Sequence, residues 1–138
     1  MFDQVSIIGC GLIGSSIFKG LKKAGSIKKI ITYDKDKAVT EIIKKDKLSD
    51  EIFNSVGEAV KNSDLVIIAT PISSFESVLN SIKENLKVGS ILTDTCSVKI
   101  GIGKIFKKLN LKNSICIPGH PVAGIENSGP KAGTADLF

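Results

Sequence analysis

Three groups of residues in this chain have types and spacings that could do chemistry. The first is Gly9-Cys10-Gly11-Leu12-Ile13-Gly14, which fits G-x-G-x-x-G. Alone the pattern is weak, because glycines are common. Here an apolar run precedes it, a helix-like stretch follows it, and Asp34 lies twenty residues after Gly14, at the end of a second apolar run. That context is the dinucleotide fingerprint. Gly9 would make the turn out of the strand, Gly11 would let a pyrophosphate approach the backbone, and Gly14 would let the helix pack closely. The helix start, with Leu12 and Ile13, would offer its free N–H groups to the phosphates. Asp34 could accept the adenosine ribose hydroxyls and would repel a 2′-phosphate, which favours NAD over NADP; Lys35 and Lys37 soften that preference.

A dinucleotide lies across the carboxyl ends of the strands, so the loops at those ends form the second and third groups. Ala69-Thr70-Pro71 extends the cofactor side. Asp94-Thr95-Cys96-Ser97-Val98-Lys99 and Pro118-Gly119-His120-Pro121-Val122-Ala123-Gly124 carry the polar candidates Ser97, Lys99 and His120. His120 is the only histidine, and an imidazole suits proton transfer at neutral pH. A nicotinamide enzyme that oxidises an alcohol needs such a base. A histidine held in a turn is the competing reading on position alone. Ser97 could orient the imidazole or a substrate hydroxyl, or simply cap the helix after it. Lys99 could pair with a substrate carboxylate or stand solvated in a first helical turn.

Composition narrows the classes. The net charge is +5, and every basic residue is a lysine. Without arginine, sequence-specific reading of nucleic-acid bases is disfavoured, and no guanidinium can fork onto a carboxylate. The three cysteines are far apart and one histidine cannot complete a metal set, so no metal is expected. No apolar run is long enough for a membrane span. The first residues lack a signal-peptide pattern, so a cytoplasmic enzyme is expected.

The elements that must position these groups alternate. Strands are expected at Gln4–Ile8, Lys29–Tyr33, Leu65–Ala69, Gly89–Asp94 and Ser114–Pro118. Helices are expected at Leu12–Ala24, Lys37–Lys45, Ser55–Asn62, from a Ser73/Glu76 capping box to about Leu86, and at Lys99–Leu109. Asp46–Phe53 is ambiguous and could hold a short strand. Gly119–Gly133 shows no periodicity. The pattern predicts an α/β fold, a doubly wound, mostly parallel sheet of Rossmann type in a single domain.

With these motifs in hand, the chain resembles the prephenate and arogenate dehydrogenases. Val5–Ser16 looks like the family's opening, Asp94–Lys99 is similar to its D-x-x-S-V-K segment, and Gly119–Gly129 looks like its G-H-P-M/I-A-G-T-E-x-S-G signature. The resemblance implies NAD-dependent oxidative decarboxylation of prephenate to 4-hydroxyphenylpyruvate, in tyrosine biosynthesis. His120 would match the catalytic histidine, Ser97 the serine bonded to it and to the substrate, and Glu126 an acid at the site entrance. Ile125 stands where the family usually has threonine. Family members continue into a helical domain that forms a homodimer and supplies arginine for the substrate carboxylates; that domain is not in this sequence. A small-molecule substrate is implied, with no nucleic acid or membrane partner.

Overall fold

Along the first strand, side chains alternate between the two faces of a sheet, and both faces are covered. Val5 and Ile7 enter one apolar cluster with Ile30, Ile67, Phe18, Ile43 and Leu48. Ile8 enters another with Val66, Ile68, Leu92, Phe75, Leu79, Ile82, Ile102 and Phe106. Burial on both faces is why these strands read as continuous apolar runs. The computed structural model describes residues 2–109, 111 and 113–138.

Five strands, β1 (Gln4–Ile8), β2 (Lys29–Tyr33), β3 (Leu65–Ile68), β4 (Ser90–Asp94) and β5 (Ser114–Ile117), lie in the order β2-β1-β3-β4-β5. All four pairings are parallel, with Ser6 level with Ile31 on one side and Val66 on the other. Strand order reverses between β1 and β3, and there the strand ends open a crevice. Helices α1 (Leu12–Ala24) and α2 (Lys37–Lys45) bring Phe18 and Ile43 to one face. Helices α3 (Val56–Val60), α4 (Ile72–Ile82) and α5 (Lys99–Leu109) cover the other. There the Phe75 and Phe106 rings meet edge to face, 5.6 Å apart.

Two local expectations are corrected. Asp46–Phe53 holds no strand. It runs beside β2 and satisfies that edge with two side chains and one backbone amide: Ile30 N–H donates to Asp50 Oδ2 (2.7 Å), Thr32 N–H to Ser49 Oγ (2.8 Å), and Asp50 N–H to the Ile30 carbonyl (2.8 Å). The edge is thereby closed to further pairing. Nor does the Ser73/Glu76 pair cap α4. The helix starts at Ile72 with Pro71 at its N-cap, and no side chain caps it; the Ser74 N–H turns back to the Pro71 carbonyl (2.9 Å). Ser73 is already inside the first turn, and Glu76 pairs with Lys108 (2.5 Å). The α-helix ends at Ile82, and a short 3-10 turn, Lys83–Asn85, continues it.

The aperiodic tail returns to the cofactor side. After a 3-10 turn at Pro130–Ala132, it docks on α1. Lys19 Nζ donates to the Gly133 carbonyl (2.6 Å), Thr134 N–H donates to Ser16 Oγ (3.0 Å), and Lys23 pairs with Asp136 (2.5 Å). The outer face of β5 stays bare on the α1 side: Ile115 and Ile117 are 58% and 50% exposed. No described helix is long and apolar enough to cross a membrane.

Candidate functional site

The glycine loop is shaped by what surrounds it. Gly9 has φ +99°, and its N–H donates to the Tyr33 carbonyl (2.8 Å). A Cβ there would lie 2.6 Å from the Ala69 carbonyl oxygen, so β1 can turn out between β2 and β3 only as glycine. A Cβ on Gly14 would meet the Gly9 carbonyl oxygen at 1.9 Å, and the residue is buried under the loop. Gly11 is different: nothing lies within 4 Å of its Cβ position, which leaves the backbone open to a ligand. The first turn of α1 has no side-chain cap and no acidic residue, so its N–H groups at Leu12 and Ile13 face the opening uncompensated.

Asp34 is tied to this loop. Its Oδ2 accepts the Cys10 N–H (2.8 Å), and its Oδ1 accepts the Asp36 N–H (3.0 Å). Each oxygen keeps a lone pair for a further donor. Burial, then the Asp34 charge, push the Cys10 thiol up to about 12, so it stays protonated and unreactive at neutral pH. Gly9, Gly11, Leu12, Ile13, Asp34, Thr70 and Pro71 line one cleft of about 600 Å³, a usual size for a small-molecule or cofactor site. At its edge Thr70 Oγ1 is buried and has no hydrogen-bond partner among the described residues. An open glycine, an uncapped helix start, a fixed carboxylate and an orphaned hydroxyl fit a dinucleotide.

Sequence reasoning missed part of the lining. Lys35, expected near the ribose, and Thr95, expected in a strand-end loop, do line it; Tyr33 and Val56 were not foreseen, and α4 contributes Ser74, Ser77, Val78 and Ser81. The last four fall at helical spacing, a small-residue stripe that could have been read as a face turned to a ligand. The hydroxyls of Ser77 and Ser81 bond back to their own helix, to the carbonyls of Ser74 and Ser77.

The second constellation lies outside that lining, on the next two strand ends. Asp94 closes β4 with its side chain fully buried, and Lys99 pairs with it. Lys99 Nζ also donates to the Gly119 carbonyl. It is therefore neither a solvated first-turn lysine nor wholly free for a substrate. Ser97, His120 and Glu126 are exposed, and no hydrogen bond joins Ser97 to His120 among the described residues. No cluster of metal-ligating side chains occurs there either.

Comparisons with known proteins bear on the family and the fold. Residues 17–138 match the family model described as prephenate dehydrogenase, nucleotide-binding domain. The glycine loop precedes that span and stands on its own geometry. The chain is 37% identical to a cyclohexadienyl dehydrogenase of Zymomonas mobilis, over 100% of this chain and 47% of that protein. It is 36% identical to a prephenate dehydrogenase of Lactococcus lactis, over 98% of this chain and 38% of that one. Its fold matches prephenate dehydrogenase from A. aeolicus, solved with hydroxyphenyl propionate and NAD+, with a TM-score of 0.87 and 26% identity over 100% of this chain and 48% of that one. The chain thus spans less than half the length of each of these proteins.

Proposed function

Since the chain belongs to the prephenate dehydrogenase family through that family's nucleotide-binding domain, we propose that it binds NAD and supplies the proton acceptor for oxidative decarboxylation of prephenate to 4-hydroxyphenylpyruvate. One observation carries this reading: the cleft and the loops bearing Ser97 and His120 all leave the carboxyl ends of parallel strands, on one edge of the sheet.

The Leu12 and Ile13 N–H groups and the open Gly11 face would hold the pyrophosphate, Asp34 the adenosine ribose, and Thr70 and Pro71 the stretch toward the nicotinamide. Bound NAD supplies a hydride acceptor. His120 would accept the proton of the ring hydroxyl as that carbon is oxidised, and Ser97 would orient the imidazole or the hydroxyl. Loss of the ring carboxylate as carbon dioxide leaves an aromatic ring. Lys99 spends donors on Asp94 and Gly119; an ammonium has three, so one remains for a substrate carboxylate. Glu126 would stand at the entrance. Arogenate has an amino group where prephenate has a keto group and presents the same ring hydroxyl to His120, so both substrates are compared in one experiment.

That experiment follows NADH formation from each substrate, with NAD binding measured separately. The chain binds NAD and turns prephenate over slowly, since it has no arginine for two carboxylates. His120→Asn lowers kcat by about 10²–10⁴ and keeps NAD affinity. An unchanged rate would remove His120 from the reaction. NAD binding without turnover of either substrate would leave only a binding module.

A further inference from the structure

We propose that Asp94 and Lys99 form a clamp that sets the loop bearing His120 against the cofactor cleft, with Asp94 as a positioning residue. The proposal rests on the role given to His120 above.

The backbone ladder between β4 and β5 reaches Thr93 and Ile117. Beyond that pair the ladder ends, and the buried Asp94 carboxylate takes over. Its Oδ1 accepts the Cys96 N–H (2.8 Å) and the Lys99 ammonium, and its Oδ2 accepts the Gly119 N–H (3.3 Å). Lys99 returns to the Gly119 carbonyl. Both backbone polar groups of the residue before His120 are thus engaged by one ion pair. The approach is close: a Cβ on Gly119 would lie 2.6 Å from the Asp94 carbonyl oxygen and 2.9 Å from Thr93 Oγ1.

The same node reaches the cofactor side. Cys96, held by Asp94, directs its Sγ to the Thr70 carbonyl oxygen (3.7 Å), and Thr70 lines the cleft. The strand-end loops after β4 and β5 therefore meet at Asp94, and the loop after β3 joins them through Cys96. Burying a carboxylate is unfavourable unless it is paired and fully hydrogen-bonded. At a strand end, where the ladder has already finished, its effect is geometric: it holds the Gly119 backbone against the end of β4. A displacement of about 1 Å in a reacting group is enough to cost turnover heavily.

The test uses Asp94→Asn, which keeps shape and removes charge. Amide hydrogen exchange at Gly119, whose N–H the Asp94 carboxylate accepts, speeds up tenfold or more, while exchange in β1 and α1 is unchanged. The kcat with prephenate falls tenfold or more, and KM for NAD stays within twofold. Should Asp94→Asn fold poorly, the doubly neutral Asp94→Asn/Lys99→Met chain is measured instead, and only the exchange at Gly119 is read from it, with the same expectation, because Lys99 also has a donor for the substrate. Unchanged exchange at Gly119 overturns the clamp. Faster exchange across the whole sheet, with NAD affinity falling alongside, also overturns it, because that is a general loss of stability. A loosened segment with kcat intact overturns the positioning role. A wild-type chain that turns over no substrate, or that His120→Asn matches, is a failure of the His120 reading and is seen with Asp94 intact.

Discussion

Asp34 joins two strand ends through the amides of Cys10 and Asp36 while keeping lone pairs turned to the cleft. Replacing it with alanine removes the repulsion toward a 2′-phosphate, and Lys35, also in the lining, then favours that phosphate. Asp34→Ala should lower the NAD-over-NADP affinity ratio by about tenfold or more, as read by isothermal titration with each cofactor. An unchanged ratio would make Asp34 a turn residue only. At this scale the sequence was informative where function follows spacing along the chain, as in the glycines and Asp34. It was uninformative for Lys99, whose partner carbonyl at Gly119 lies twenty residues away and becomes a neighbour only when β4 and β5 pair.

Helix starts show the same division between local and distant causes. Ser55 makes the side-chain N-cap that Ser73 does not: its Oγ accepts the Glu58 N–H (3.2 Å), and its hydroxyl donates to Glu58 Oε2 (3.0 Å). Both pairs have the same spacing. What separates them is Pro71, which fixes the chain two residues ahead of Ser73 and starts α4 early. Ser55→Ala should destabilise the chain by about 1 kcal/mol, seen as a lower urea midpoint at constant slope. Ser73→Ala, at an exposed position within the helix, should leave that midpoint unmoved. The ambiguity of Asp46–Phe53 has a physical source too. Its residues serve a strand edge through two side chains and a single backbone amide, which leaves neither a two-residue nor a helical period to read.

Across the whole molecule, the starts of β1, β3 and β4 are bound by Asp64. It takes the Lys87 ammonium and the N–H groups of Gln4 and Asp3. Lys87 first, then those amides, hold its carboxyl well below the usual carboxylate range, at about 2. The folded chain therefore binds fewer protons than the unfolded chain between about pH 4 and pH 2, so this contribution is complete above about pH 4 and fades as pH falls through that window. Asp64→Ala should lower Tm by about 3 °C near neutral pH, and the difference should vanish near pH 2 in thermal melts. A constant difference at all pH values would mean that the charge is not the cause. The parallel sheet and its cofactor edge were legible in the sequence because alternating apolar runs dictate them. The docking of the tail was not, since Gly133 meets α1 through backbone groups and no side-chain pattern marks it. That docking has a mechanical consequence. The stretch from Gly119 to Gly133 is a cord knotted at both ends, at Asp94 and on α1, and the far knot is tight: a Cβ on Gly133 would sit 2.0 Å from Ser15 Oγ. Such a cord accepts added length as slack at little entropic cost. Shortening it must pull on a knot, and the near one lies a single residue from the imidazole.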